Sequence, residues 1–423
     1  MRLRLTPADQ ERSRYLLVPF EVRPGCARLR VAYDLPAGAV VDLGLADPRG
    51  TAFPDFPGFR GWSGSFRSEA VLTAAAATPG YLPGPIPAGT WHALLGLHRL
   101  PPGGADLELT VDASEDAGPP PHVPPAPASP PRDRGPGWYA GDLHAHTHHS
   151  DAPGTLDDLV AAARALGLDF LAVTDHNTVS HVPHLAACPP DLLLVPGEEV
   201  TTRLGHASVW GLGRLTDFRC ETAAAMRVTL EGARARGGVV SPNHPAAPGM
   251  EWTFGLDLPF DCLEVWHGPS AGRNASTLEA WDQLLRTGRR VVAVGGSDEH
   301  CRRGPDRLAR PTTWVRADRL AVPAVLAALR SGRVVIGERG GERPALGVER
   351  DGRRWEVGDT VPPGGAVRVR RTAGARLVTA LGEVPAGAPL DLRAHRYVRA
   401  ELRGAGGGWD VTGLTNPVWA AQE

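Results

Sequence analysis

Histidines and carboxylates recur in this chain at intervals suited to metal-ion chemistry. His144 and His146, in Gly-Asp-Leu-His-Ala-His-Thr, stand two residues apart, and Asp298 and His300, in Gly-Gly-Ser-Asp-Glu-His, repeat that interval. On a strand, side chains at i and i+2 share one face, so either pair can chelate a single ion. Asp151, His176, Glu199, His206 and His244 lie between the two pairs, most of them at the end of a short apolar run. Eleven of the fifteen histidines fall between positions 144 and 300. Neutral imidazole and carboxylate are the ligands of zinc, manganese and iron, so the pattern points to a multinuclear, metal-dependent hydrolase.

The neighbouring residues divide by strand geometry and chemistry. Glu199 is the expected bridging carboxylate, and alternation sends the adjacent Glu198 to the opposite face. Asp175 is expected to orient an imidazole rather than to ligate, and Asp142 has the same standing. Asn243 and Glu264 fit a supporting shell. His267, in Glu-Val-Trp-His-Gly, ends another apolar run and is the acid–base candidate. Arg203, Arg302 and Arg303 lie near the ligands in sequence, and a guanidinium fork could hold an anionic substrate. His148 and His149 are expected on a solvated loop, and His181 and His184 in an exposed, proline-bounded segment.

Four stretches surround this chemistry. Residues 1–112 alternate at period two between Gly and Pro clusters, as a β-sandwich does. In it Trp62, Phe66, Trp91 and His92 read as core or edge residues. Residues 113–137 hold a Pro-rich linker, which includes His122 and cannot build a core. Over 138–337 short Val/Leu runs alternate with amphipathic helices expected at 156–166, 223–236, 277–287 and 322–330. That alternation implies an α/β unit with parallel strands buried on both faces, closed or nearly closed into a βα barrel. In such a barrel the active site lies at the strand ends. Residues 338–423 turn β-rich again and suggest a small C-terminal domain.

The bulk numbers narrow the partners. A net charge of −2 and pI near 6.7 give no electrostatic case for binding nucleic acid or an anionic membrane. A nucleotide stays open as a substrate, and an anionic small-molecule ester is the expected one. All 45 basic residues are Arg, which excludes a Schiff-base lysine and a Walker P-loop. Five scattered cysteines (Cys26, Cys188, Cys220, Cys262 and Cys301) form no CxxC pair and fit a reducing compartment. The first residues hold no signal-peptide core, so a cytoplasmic location is expected. Oligomeric state is not legible.

Taken together, Asp142-Leu-His144-Ala-His146-Thr, Ser150-Asp151, Thr174-Asp175-His176, Gly197-Glu198-Glu199, His206, Asn243-His244-Pro245 and Ser297-Asp298-Glu299-His300 resemble the PHP (polymerase and histidinol phosphatase) family. The resemblance covers residues 138–337. It implies a distorted, TIM-like barrel with two or three divalent ions. One ion would sit on His144, His146, Glu199 and Asp298, a second on Glu199, His206 and His244, and a third on Asp151, His176 and His300. Asp151 stands where some relatives carry His. Gly61-Trp-Ser-Gly, Ala77-Thr-Pro-Gly-Tyr-Leu-Pro-Gly and Leu414-Thr-Asn-Pro are similar to the flanks of the carbaryl-hydrolase (CehA/McbA) branch. The first expectation is phosphoester hydrolysis by a metal-bridged hydroxide, because several ions suit the spread charge of a phosphoryl group. Carbamate or carboxylic ester hydrolysis is the alternative, and a non-catalytic metal-binding scaffold ranks last.

Overall fold

Period-two burial builds the first module. In Arg28–Asp34 every second residue is buried, and Ala105–Ser114 begins with the same alternation. These strands join Arg2–Leu5 and Glu69–Thr73 in one four-stranded sheet, while Tyr15–Val22, Gly89–Arg99, Val40–Ala46 and Phe59–Trp62 form a second. Both are antiparallel and share an apolar core that includes Leu29, Val31, Leu107, Leu43 and Trp91. The computed structural model describes every residue except 54–55, 119–133, 187–190, 269–270, 301–306, 386, 405–409 and 422–423. His122, Cys188, Cys301, Arg302 and Arg303 therefore lie outside the described residues.

The strand Gly89–Arg99 did not stand out in the sequence because both of its faces are covered. Ala93 and Leu95 enter the inner core, whereas Leu94 joins the apolar cluster of the next module, which includes Phe218, Val200 and Trp266. A doubly buried strand loses the alternation that marks a half-buried one.

The central unit is mixed α/β and departs from the expected closed parallel barrel. Gly137–Asp142, Phe170–Val173 and the start of Leu193–Thr202 pair in parallel. Gly205–Trp210 and Val239–Asn243 then continue antiparallel, as do Thr312–Ala317 and Val334–Gly337 on the other edge. Cys262–His267 and Val292–Gly296 form a separate two-stranded parallel sheet. The ladder therefore does not close, and side chains span the two gaps. On one side the Asp261 carboxylate accepts from the Val240 amide (3.1 Å) and the Glu264 carboxylate from the His244 amide (2.7 Å). On the other, Asn416 accepts from the Ala293 amide and donates to the Ala293 and Val334 carbonyls at 2.8–3.0 Å. Thr313 exchanges two bonds with Gly295. Each bridge satisfies buried backbone groups that a ladder would otherwise pair.

Asn416 belongs to a C-terminal segment that continues the central sheet, because Val335–Gly337 pairs with Gly413–Thr415. Helices at Leu156–Ala165, Ala223–Ala235, Ala271–Arg286 and Val322–Ser331 agree with the expected spans, the third being longer at its start. Thr155 and Thr222 cap two of them. Among the described residues no helix is long and apolar enough to cross a membrane.

Asn416→Leu should lower stability by about 2–4 kcal/mol, since it strands several buried peptide groups. Denaturant unfolding that shows no loss would remove Asn416 as a splice between the sheets.

Candidate metal centre

Two chain exits run side by side and bring the paired donors together. The Asp298 amide donates to the His144 carbonyl, and the His146 amide to the Glu299 carbonyl, both at 2.9 Å. The Asp142 carboxylate fastens the same junction by accepting from the amides of His144, Ser297 and Ala309. Asp142 is thus a strand-end clamp. His146 Nε2 lies 3.0 Å from Asp298 Oδ1, and His144 Nε2 3.3 Å from the same oxygen.

Glu199 sits at the middle, with no solvent exposure. Oε1 faces His144, His206 and His244 at 3.3–3.4 Å, and Oε2 faces His146 at 3.4 Å and His176 at 2.9 Å. Asn243 holds the carboxylate by donating from Nδ2 to Oε1 at 2.9 Å. Glu198 points the other way and accepts from the Thr216 amide. Burial lifts its carboxyl to about 8. Burial would lift Glu199 too, but the facing charges of His144, His176 and His206 outweigh it and hold that carboxyl well below the ordinary range.

Further donors gather beside Glu199. Asp151 Oδ1 is 3.1 Å from His300 Nε2 and 3.5 Å from His176 Nε2, and these three group with His146. Other sets that could hold one ion are His144, His146 and Asp298; His144, Glu199 and His244; His176, Glu199 and His206; and His144, Glu264 and His267. The nine sequence-derived candidates thus converge. His144 Nδ1 is taken by Glu264 Oε1 (2.9 Å) and His300 Nδ1 by the Asp298 carbonyl (2.9 Å), so each turns Nε2 inward. Burial, with His176 and His300 nearby, pushes His146 down to about 4, so its imidazole is neutral and able to ligate.

A divalent cation fits this set. His144 Nε2, His146 Nε2, Glu199 Oε2 and His206 Nδ1 are buried without a hydrogen-bond partner. Buried polar atoms are normally satisfied, and these converge on shared points. Asn177, His244 and Asp298 also have positive φ, at 51°, 32° and 53°, at the ends of apolar runs. Such conformations cost about 1–3 kcal/mol each and gather at functional sites.

The supporting residues carry surprises. Asp175 faces His181 Nδ1 at 3.0 Å, and it also accepts from the Thr147 amide, the Thr147 hydroxyl and the Ser150 hydroxyl. It therefore anchors the loop leading to Asp151. His181 and His149 are buried rather than solvated, because the N-terminal module covers that loop. Arg67 donates to the His148 and Ser150 carbonyls, and Thr178 Oγ1 donates to the Gly80 carbonyl. A Cβ on Gly80 would lie 2.9 Å from both the His149 and the Trp62 carbonyl oxygens. His267 packs behind the cluster, its Nδ1 3.3 Å from Glu264 and its Nε2 3.8 Å from Asp298.

A cleft of about 1070 Å³ opens over Asp151, His176, Glu199, His206, His244, Asp298 and His300. Exposed Arg203 lines it, and so does Arg307, which the sequence reading passed over. Arg307 sits beyond the last ligand pair, where its amide donates to Glu299. Another wall comes from the first module, through Tyr15, Asp42, Trp62 and Phe66. Spacing could not show these, since distant strands bring them in.

Residues 142–196 match the PHP domain. No curated protein matches the chain. Among solved structures, a two-domain protein containing a predicted PHP-like metal-dependent phosphoesterase from Bacteroides vulgatus ATCC 8482 is similar at 15% identity and a TM-score of 0.39. That similarity covers 70% of this chain and 99% of the other. The lesion-specific endonuclease PfuEndoQ from Pyrococcus furiosus is similar at 17% identity and a TM-score of 0.35, over 52% of this chain and 64% of its own. Both likenesses are remote. The clustered donors and the matched segment fit a metal-dependent hydrolase.

Glu264→Gln should weaken divalent-metal affinity by about 10–100-fold, as expected when the partner orienting a ligand is lost. Competition against a chromogenic chelator reads this, and an unchanged affinity would exclude Glu264 as the group that sets His144.

Proposed function

We propose that this chain is a metal-dependent phosphoesterase that acts on small anionic esters. The observation that carries the reading is Glu199, whose two oxygens lie among five imidazoles beneath an open cleft. One carboxylate so placed can join two ions. His144, His146 and Asp298 would hold one with Glu199. His206, with His244 or His176, would hold another, and Asp151 and His300 would complete a third with His146 or His176.

Divalent ions supply Lewis-acid polarisation and a water acidic enough to react near neutral pH. The protein's own part is to position groups and to exclude competitors. Glu264 keeps His144 Nε2 turned inward, and Asn243 fixes Glu199. Arg203 and Arg307 reach the cleft without a described partner, so each is available to grip phosphoryl oxygens. His267 acts through Glu264 and Asp298. Two free guanidinium groups favour an anionic ester over a neutral carbamate. Trp62, Gly80 and Asn416, which lie in the stretches similar to the carbaryl-hydrolase flanks, line or back the cleft, or brace the sheet junction.

The protein loaded with zinc or manganese should hydrolyse p-nitrophenyl phosphate and lose that activity to a chelator. Turnover of 1-naphthyl N-methylcarbamate with none of the phosphate ester would overturn the reading in favour of carbamate hydrolysis. Arg307→Ala should raise KM for the phosphate ester about tenfold with a smaller change in kcat, as for one charge-assisted bond. An unaltered KM would take Arg307 out of substrate binding.

A further inference from the structure

The first module gives the cleft a wall of different chemistry from its metal-ligating floor. Asp42 lies on Val40–Ala46, where its neighbours Val41 and Leu43 enter the core, and it turns towards the cleft. Gly96 makes room for it. A Cβ there would stand 2.6 Å from Asp42 Oδ2 and 2.8 Å from the Trp62 ring, so the carboxylate and the indole meet over a position without a side chain. Tyr15 and Phe66 line the same wall.

Among the described residues no cation pairs with the Asp42 carboxylate, and the guanidinium of Arg67 lies over the Phe66 ring at 5.0 Å. Arg14 is already engaged with the Leu97 and His98 carbonyls and, at 3.5 Å, with Glu221. Burial, and after it the Arg14 charge, push the His98 imidazole below its ordinary range. Burial lifts the Asp42 carboxyl to about 7, with no cation to offset it. A carboxylate that lines a cleft and has no cation beside it is a receptor for an alkylammonium group, through ion pairing and charge-assisted hydrogen bonds.

We propose that Asp42, on the wall that Tyr15, Trp62 and Phe66 build, is a second subsite that binds an ammonium group on an arm of the substrate. The inference rests on the hydrolase reading and narrows it to zwitterionic esters, phosphoryl at the metal floor and ammonium at the wall.

The test uses p-nitrophenyl phosphodiesters bearing aminoalkyl arms of increasing length, each against its n-alkyl isostere. At the arm length that spans the cleft, the charged ester should gain about tenfold in kcat/KM, the worth of one charge-assisted contact. Asp42→Asn should bring that ratio to near one. A wild-type ratio near one at every length overturns the subsite without recourse to the variant, and so does a preference that survives Asp42→Asn. If the protein hydrolyses neither these diesters nor p-nitrophenyl phosphate, the hydrolase reading fails separately. Calorimetric binding of the same ester pairs to the wild-type protein then decides the subsite, with tighter binding of the charged member supporting it and equal binding overturning it.

Discussion

A carboxylate removed from water keeps its charge only if positive charge surrounds it, and Glu199 is wholly buried. Five imidazoles face its two oxygens. Imidazoles in turn tolerate such crowding only if something keeps them from repelling one another. Cations shared between these donors satisfy both demands at once. The site is therefore a balance of charge around a buried carboxylate at the floor of an open cleft, and the fold serves to hold that balance in register.

The architecture follows from this requirement. Strands of opposite direction, and a two-stranded sheet outside the main ladder, bring donors to one place: His206 stands near the start of its strand, whereas Asn243 and His267 close theirs. Asp261, Glu264, Thr313 and Asn416 stitch the gaps that backbone pairing leaves. Glu264 does double duty, since it accepts from the His244 amide and orients His144. Strained backbone at Asn177, His244 and Asp298 lies close to the donors, where packing must sustain it. The N-terminal module completes the enclosure by clamping the loop before Asp151 and walling the cleft.

The clustering of the donors was legible in part, because His144 and His146 stand two residues apart and group with Asp298; Asp298 and His300 fall in different groups, since the backbone at Asp298 is left-handed and not on a strand. Helix spans were legible from their periodicity, and the helices at 156–165 and 223–235 carry Thr caps as well. Sheet topology was not. A run such as Val239–Asn243 looks the same in a parallel or an antiparallel neighbourhood, since both faces are buried either way. Gly89–Arg99 escaped notice for the same reason. Burial of His149 and His181 depends on a module about a hundred residues earlier in the chain, and no local pattern reports that. Arg307 and Asp42 were also hidden, because an unpaired charge is visible only once its surroundings are known.

The central claim is that Glu199 organises a multinuclear site. Elemental analysis of the purified protein tests it most directly, with Glu199→Gln alongside. The account expects two or more divalent ions per chain, most of them lost in a variant that still folds by circular dichroism. A folded Glu199→Gln protein with its full complement of metal would contradict it, as would a wild-type protein that takes up no divalent ion when supplied with zinc or manganese.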